Sequence, residues 1–257
     1  MNKKVNFFIV GQPKCGTTSL FHYFKKHKEV FMPEQKQLYF FAKDHNEHRK
    51  KYSKFNTEYY AKYYNYKFED YISRFDFHDN INIYGDITPD YIYSKTAPSD
   101  IYNYNNNAKI LVILREPLSF LKSFHNQLIL SGREHETDFY KALSYQEMRA
   151  IKSCKNDEES PPFYFQYDEL VNYLKFVKSY HDRFKDNFKV IFYEDFRKDN
   201  KGTLDDICKF LDIKKFDNIR NIESNLSMQG VNRLDSIKKK KLIKLFISLV
   251  PTKVKYW

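Results

Sequence analysis

Apolar runs alternate with amphipathic stretches along this chain, and the alternation predicts an α/β fold. Short runs rich in Val, Ile, Leu and Phe have the length and composition of buried parallel strands. They lie at Val5–Val10, near Ile81–Tyr84, at Lys109–Leu114 and at Lys189–Tyr193. Helical spacing of apolar residues predicts helices over Thr17–Lys28, Pro117–Leu130, Tyr167–Phe184 and Thr203–Leu211. We therefore expect a doubly wound, mainly parallel sheet flanked by helices.

The loop after the first strand carries the strongest local signal. It reads Gly-Gln-Pro-Lys-Cys-Gly-Thr-Thr-Ser over Gly11–Ser19 and leads directly into the first helix. A strand–loop–helix turn directs backbone N–H groups and the positive end of the helix dipole at one point, so it favours an anion. The glycines permit close backbone approach, the hydroxyl residues add donors, and the lysine adds a positive charge. The residues that we expect to bind the anion are Lys14, Cys15, Gly16, Thr17, Thr18 and Ser19.

The glycine spacing in this loop is that of the nucleotide-binding P-loop, and it favours a P-loop-like architecture. The lysine, however, stands at Lys14 within the loop, and Thr17 occupies the position after the second glycine where a P-loop has its lysine. This difference argues against an ATPase, and a nucleotide or small-molecule kinase is the less favoured alternative. The other alternative is an ordinary turn in which a threonine caps the helix.

A second motif follows the apolar run Lys109–Leu114. Arg115 stands at the end of that strand, Pro117 occupies a favoured first helical position, and Ser123 follows within the helix. A guanidinium group suits a phosphate dianion, and a serine hydroxyl supplies a further donor. The motif therefore predicts a second phosphate-binding point at the end of another strand.

In this order, the two motifs resemble those of the sulfotransferases that use 3′-phosphoadenosine 5′-phosphosulfate (PAPS), especially the bacterial and heparan-sulfate-like carbohydrate type. The resemblance implies transfer of a sulfuryl group from PAPS to a hydroxyl of a carbohydrate or glycolipid, with adenosine 3′,5′-bisphosphate (PAP) as product and no metal. It implies that Lys14 is catalytic and that the loop holds the 5′-phosphosulfate. Arg115 and Ser123 would hold the 3′-phosphate. Relatives often have a second arginine where this chain has Phe120, and Lys122 lies nearby in sequence.

The acid expected to take the acceptor's proton is missing from its usual place. The stretch beginning at Lys36 resembles the family's Lys-Glu-x-x-Phe-Phe, which implies substrate binding by Lys36 and Gln37, but an amide cannot act as a base near neutral pH. Asp86, at the end of another strand, is our substitute catalytic residue, as base or acceptor-orienting group; Glu34 and Asp90 are other acids. The alternatives are that Asp86 only organises a turn, that the acceptor needs no base, or that the chain binds PAPS or a 3′-phosphonucleotide with little or no transfer.

Two expectations concern the C-terminal part. By resemblance, the loop around Gly230 and Arg233 closes over the cofactor. Lys238–Lys241 and Lys244 precede the apolar run Leu245–Val250, which predicts either a contact with an anionic membrane surface or a helix packed on the core with a solvated lysine face.

Composition narrows the remaining classes. The chain has 257 residues without a linker or repeat, which favours a single domain over residues 1–257, and 18% aromatic residues exclude general disorder. A formal net charge of +11 suits an anionic ligand, and no recognised nucleic-acid module accompanies it. The three cysteines are widely spaced and no signal peptide or membrane span is evident, so we expect reduced thiols and a cytoplasmic enzyme.

Overall fold

In the computed structural model of the protein, the described residues are 3–52, 67–152 and 162–217. They belong to one compact unit, residues 1–224, and a second unit comprises residues 225–257. Gly230, Arg233 and the lysine cluster at Lys238–Lys241 lie outside the described residues, so the expectations about them stay predictions. The single-domain organisation of residues 1–257 also stays a prediction.

The described residues form a five-stranded sheet in which all neighbouring strands are parallel. The strands are β1 (Phe7–Gly11), β2 (Val30–Phe31), β3 (Ile83–Ile87), β4 (Lys109–Leu114) and β5 (Phe188–Phe192). Their order across the sheet is β2-β3-β1-β4-β5, which places β1 at the centre. This confirms the predicted α/β fold with its mainly parallel sheet.

Helices connect the strands and cover the sheet. The α-helices among the described residues are α1 (Thr17–Phe24), α2 (Lys43–Tyr52), α3 (Phe68–Ile72), α4 (Ala97–Tyr104), α5 (Pro117–Leu130), α6 (Phe139–Ser144), α7 (Gln146–Lys152), α8 (Tyr167–Leu170), α9 (Tyr173–Phe184), α10 (Tyr193–Lys198) and α11 (Asn200–Leu211). Short 3₁₀ helices lie at Pro89–Tyr93, Pro162–Phe165 and Lys185–Asn187. Among these residues, no helix combines the length and apolar character needed to cross a bilayer.

The core lies on both faces of the central strand β1, every residue of which is buried. Successive side chains of a strand point to opposite faces. The ring of Phe7 packs edge-on against Phe24 of α1, with 5.5 Å between centroids. The ring of Phe8 packs edge-on against Phe41, at 5.6 Å. The continuous apolar runs therefore reflect a sheet that is covered on both sides.

Local features differ from the sequence-based expectation in several places. The helix predicted over Thr17–Lys28 ends at Phe24. The single helix predicted over Tyr167–Phe184 is two helices, α8 and α9, separated at Val171 and Asn172. The carbonyl of Leu170, the last residue of α8, accepts a bond from the Gln12 side chain, so a partner from outside the helix occupies it. The two-residue strand β2 was not predicted, because so short a run has no periodicity.

The connections that follow β1, β3 and β4 all begin along the same side of the sheet. The register pairs Gly11 of β1 with Ile113 of β4, and Leu114 of β4 with Phe192 of β5. On the other side, Ile9 of β1 pairs with Ile87, the last residue of β3. The carboxyl ends of these strands therefore open towards the same side, where α/β proteins bind their ligands.

We expect Gly11→Ala to destabilise the protein by about 3 kcal/mol, because an added Cβ would overpack the contact between β1 and β4. An ideal Cβ at Gly11 would lie 2.3 Å from the Ile113 carbonyl oxygen and 2.8 Å from its Cγ2. Gly132→Ala is the control: Gly132 also has a positive φ, 70°, but a Cβ there would meet nothing within 4 Å, so only about 1 kcal/mol of backbone strain applies. Urea unfolding measures both losses, and equal losses would contradict the steric explanation.

Candidate functional site

The loop between β1 and α1 has the backbone of an anion site. Gly16 is the N-cap residue of α1, with φ 83° and no side chain to cap the helix. The N–H groups at the start of the helix are thus available to an external acceptor. Lys14 also adopts a positive φ, 65°. A lysine rarely adopts this conformation, and such strain is typical of functional loops.

The loop packs against the start of α10, and this contact explains why its second glycine, Gly16, has no side chain. A Cβ at Gly16 would lie 3.1 Å from the ring of Tyr193, closer than most real contacts of this kind. The same ring lies beneath the Arg115 guanidinium, with 4.8 Å from Cζ to the ring centroid. Tyr193, which the sequence did not single out, therefore supports both the loop and the arginine.

Arg115 is bonded directly to the loop. Its Nη1 donates to the Lys14 carbonyl at 3.0 Å. Its own carbonyl accepts from the Tyr173 hydroxyl at 2.7 Å. Its Nε is buried and has no partner among the described residues, so the guanidinium retains a donor for a ligand. The two motifs found in the sequence are thus brought together, while Ser123 lies half-buried on α5.

The side chain of Gln12 forms hydrogen bonds to both motifs, and the sequence analysis did not identify it. This buried side chain accepts from the Arg115 backbone N–H at 3.1 Å through Oε1. Its Nε2 donates to the Leu170 carbonyl at 3.4 Å. The Cys15 thiol also donates to Oε1, with 3.7 Å from Sγ. The sequence feature that could have identified Gln12 is a long amide side chain between glycine and proline, directly after a buried strand.

Cys15 is a packed thiol within this loop. It is buried, and burial raises the pKa of its thiol well above the usual value. The protonated, inaccessible sulfur is therefore a poor nucleophile. Cofactor contact by Cys15 stays a prediction, and the backbone N–H is the group suited to it.

Lys36 contacts the segment Gly11–Ser19, which we call the anion loop. Its Nζ donates to the Thr18 hydroxyl, in the first turn of α1. Burial, and to a smaller extent the charge of Lys14, together lower the pKa of Lys36 to about 8. Among the described residues, no carboxylate pairs with Lys14 or Lys36. Within the described part of the chain, two lysines therefore lie close together without a carboxylate paired to either.

The segment that carries Lys36 is tied to the end of β3. The N–H of Gln37, which has φ 62°, donates to the Ile87 carbonyl at 2.8 Å. The N–H of Leu38 donates to the Thr88 hydroxyl at 3.0 Å. These bonds hold the predicted substrate-binding residues Lys36 and Gln37 in a defined place.

Asp86 is the fully buried centre of a hydroxyl network. Its carboxylate accepts from Thr88 at 2.7 Å, from Tyr91 at 3.0 Å and from Tyr71 at 3.2 Å. Burial raises the pKa of Asp86 to about 6, although the three hydroxyl donors act in the opposite direction. Through Thr88 the carboxylate supports the Leu38 backbone. A catalytic role for Asp86 stays a prediction, and it would require the acceptor to reach a carboxylate that is already enclosed.

Within the described ranges, no group of three or more His, Cys, Asp or Glu side chains is arranged to hold a metal ion. The polar groups that the candidate site presents are cations, hydroxyls and backbone N–H groups. This donor set suits phosphate or sulfate.

Comparisons with known proteins point to one family. The family model described as Sulfotransferase domain matches residues 4–247. The membrane-associated sulfotransferase kil1 of Dictyostelium discoideum is 27% identical over 158 residues, which are 60% of this chain and 30% of that protein. The matched part thus spans less than a third of that relative's length.

Two solved structures are similar to the fold described above. A sulfotransferase from Alicyclobacillus acidocaldarius is 25% identical with a TM-score of 0.75, and the match covers 96% of this chain and 92% of that one. A sulfotransferase domain from the curacin biosynthetic pathway is 16% identical with a TM-score of 0.50, and the match covers 84% of this chain and 77% of that one. The second likeness is one of fold alone.

We expect Gln12→Met to lower the free energy of unfolding by about 2 kcal/mol, because it leaves the Arg115 N–H without its acceptor and removes one of the two side-chain donors that the Leu170 carbonyl has among the described residues, the other being the Tyr93 hydroxyl. Methionine has a similar volume, so packing changes little. The control is Gln127→Met, at an exposed position of α5, for which we expect a change within about 0.5 kcal/mol. Urea unfolding compares them, and a Gln12 variant as stable as the control would show that these bonds contribute nothing.

We expect the stability difference between wild type and Asp86→Asn to fall by up to about 3 kcal/mol as the pH rises from 4 to 7. The folded-state pKa of about 6 lies above the ordinary 3.8. Between those values the folded protein keeps the proton that the unfolded chain has lost, so rising pH favours unfolding. Asparagine does not titrate, so subtracting its curve isolates this group. Urea unfolding at several pH values gives the difference, and a flat difference would contradict the raised pKa.

Proposed function

Because the chain belongs to the sulfotransferase domain family, we propose that it transfers a sulfuryl group from PAPS to a hydroxyl group of a carbohydrate or glycolipid and releases PAP. The observation that carries the proposal is the bond between Arg115 Nη1 and the Lys14 carbonyl. It joins the two predicted phosphate-binding motifs into one site. A nucleotide with phosphate groups on both the 3′ and the 5′ position of its ribose, as PAPS has, suits two such points.

The residues present fit this anionic nucleotide. Arg115 has a buried Nε without a partner among the described residues, and α1 begins at an uncapped glycine. We propose that the loop residues Cys15–Ser19 hold the 5′-phosphosulfate, and that Arg115 and Ser123 hold the 3′-phosphate. We extend the nucleotide site to Gly230 and Arg233, which lie outside the described residues.

PAPS supplies the activated sulfuryl group. Transfer forms a bond from the acceptor oxygen to sulfur, breaks the bond from sulfur to the bridging phosphate oxygen, and releases the proton of the acceptor hydroxyl. Lys14 stabilises the negative charge that develops on the bridging oxygen, and the loop N–H groups stabilise the phosphate. Positioning and charge stabilisation then account for most of the rate, as in phosphoryl transfer.

The acceptor's proton needs a destination. Gln37 cannot accept it near neutral pH. Asp86 is our candidate base or acceptor-orienting group, and its bond to Thr88 supports the orienting role most directly. Glu34 is exposed and bonded to Lys25 at 2.6 Å, which leaves it less suited.

One alternative function has a specific observation in its favour. Gln37 in place of the usual glutamate, together with the enclosed carboxylate of Asp86, fits a protein that binds PAPS or a related 3′-phosphonucleotide with little or no transfer. Such a protein would still discriminate for the 3′-phosphate. Activity, and not binding, therefore separates the two functions.

A membrane surface is a further proposed partner. The relative kil1 is described as membrane-associated, and this chain has the cluster Lys238–Lys241. We propose that the cluster contacts anionic lipids, where a glycolipid acceptor would reside. The enzyme would then meet its acceptor at the cytoplasmic face of a membrane.

We expect wild type to bind PAP at least tenfold more tightly than adenosine 5′-monophosphate or ATP, because only PAP supplies a 3′-phosphate to Arg115. Arg115→Ala should weaken PAP binding about 30-fold, which corresponds to about 2 kcal/mol, while hardly changing the affinity for adenosine 5′-monophosphate. Isothermal titration calorimetry measures each affinity. The matched control is Arg183→Ala, an exposed arginine of α9 that bonds only its own helix among the described residues.

Binding without preference for the 3′-phosphate would remove the PAPS assignment. If PAP binds as expected, incubation with ³⁵S-labelled PAPS and a panel of glycans and glycolipids tests transfer. Label in an acceptor supports the sulfotransferase, and PAP binding without transfer to any acceptor supports the binding protein.

A further inference from the structure

Lys36 reaches the anion loop from a different part of the chain. The loop follows β1, whereas Lys36 follows β2 and is separated from Thr18 by 18 positions in sequence. Its ammonium group donates to the Thr18 hydroxyl, which belongs to the first turn of α1. A hydroxyl that accepts from an ammonium group can still donate its own hydrogen to an anion. The lysine charge therefore lies at the place where the uncapped helix start favours an anion.

The position of Lys36 is built into the fold. Gln37 and Leu38, the next two residues, are bonded through their N–H groups to Ile87 and Thr88 at the end of β3. Gln37 adopts a positive φ to make this turn. Thr88 in turn donates to the buried Asp86 carboxylate at 2.7 Å. These hydrogen bonds fix the backbone that follows Lys36 against the end of β3.

The charge around Lys36 is unbalanced. Lys14 is the charged neighbour that acts on its ammonium group, and it has the same sign. Among the described residues, the partner of the ammonium group is a neutral hydroxyl, and the nearest acid in sequence, Glu34, is bonded to Lys25 instead. Two cations gathered at an uncapped helix start, without a carboxylate between them, are complementary to a multiply charged anion.

We propose that Lys36 is a second cation for the phosphosulfate of the donor, not a contact for the acceptor, and that it takes up a proton from solvent when the donor or its product binds. The inference rests on the proposed function and deepens it. Lys14 and Lys36 would then approach the phosphosulfate from two different segments of the chain.

The proton uptake follows from the sign of the local charge. In the ligand-free protein, burial and the charge of Lys14 lower the pKa of Lys36 to about 8, so a growing fraction is neutral above that pH. A bound anion reverses the local charge and favours the protonated ammonium group. Binding should therefore take up about 0.1 proton at pH 7 and about 0.9 proton at pH 9, and the affinity should fall as the pH rises above about 8.

Calorimetric titration with PAP in pairs of buffers that differ in ionisation enthalpy measures this proton count. We expect wild type to take up about 0.8 proton more at pH 9 than at pH 7. Lys36→Arg should keep the PAP affinity within about threefold at pH 7 and lose the additional uptake, because arginine stays charged at both pH values. Lys36→Gln should bind about tenfold more weakly at pH 7 and also lose the additional uptake.

Lys26→Gln is the control for removal of a nearby exposed lysine, and it should behave as wild type. Thermal unfolding of each variant verifies that the fold is retained, and the arginine variant carries the test if the glutamine variant does not fold. Additional uptake in Lys36→Arg equal to that of wild type, or wild-type affinity at pH 7 in a folded Lys36→Gln, would overturn the inference while leaving the proposed function in place. Wild type that does not bind PAP would remove the proposed function and this inference with it.

Discussion

The close approach of β1 and β4 at their carboxyl ends is the constraint on which the site depends. A side chain at Gly11 would collide with Ile113, so the two backbones meet directly and the N–H of Gln12 donates to the Ile113 carbonyl at 3.2 Å. The chain then continues into the loop on one side and into Arg115 on the other. Because the strands are this close, one glutamine side chain can bond both segments, and one arginine can reach the loop carbonyl of Lys14.

The second feature of the site is its positive charge, because none of its three cations forms an ion pair with a carboxylate among the described residues. Lys14, Lys36 and Arg115 lie around the start of α1. Among the described residues, the Lys36 ammonium group bonds a threonine hydroxyl, and the Arg115 guanidinium group bonds a carbonyl and lies over an aromatic ring. Like charges held together destabilise the ligand-free protein. The anion that we propose to bind here would remove that cost, so part of its binding energy would be prepared in the folded structure.

Asp86 is connected to the site by a network of hydrogen bonds. A buried carboxylate is costly unless its oxygens are satisfied, and here two tyrosines and a threonine satisfy them. The Thr88 hydroxyl donates to the carboxylate and accepts from the N–H of Leu38, in the segment that carries Lys36. The acid that the sequence suggested as catalytic is thus connected to the site through structure, and the network explains why an acid at this position is compatible with complete burial.

The sequence by itself determined the parallel sheet, the anion loop and the strand that ends in Arg115. These features depend on local patterns: continuous apolar runs, glycines at a tight turn, and a proline that starts a helix. Only the tertiary structure decided which side chains meet. Gln12 bonds Leu170 across 158 positions of sequence, and Lys36 reaches Thr18 from another connection of the sheet. The tertiary structure likewise decided the separation of α8 from α9, the enclosure of Asp86 and the lowered pKa of Lys36. Burial and the choice of hydrogen-bond partners arise from packing between distant segments, and no local sequence pattern encodes them.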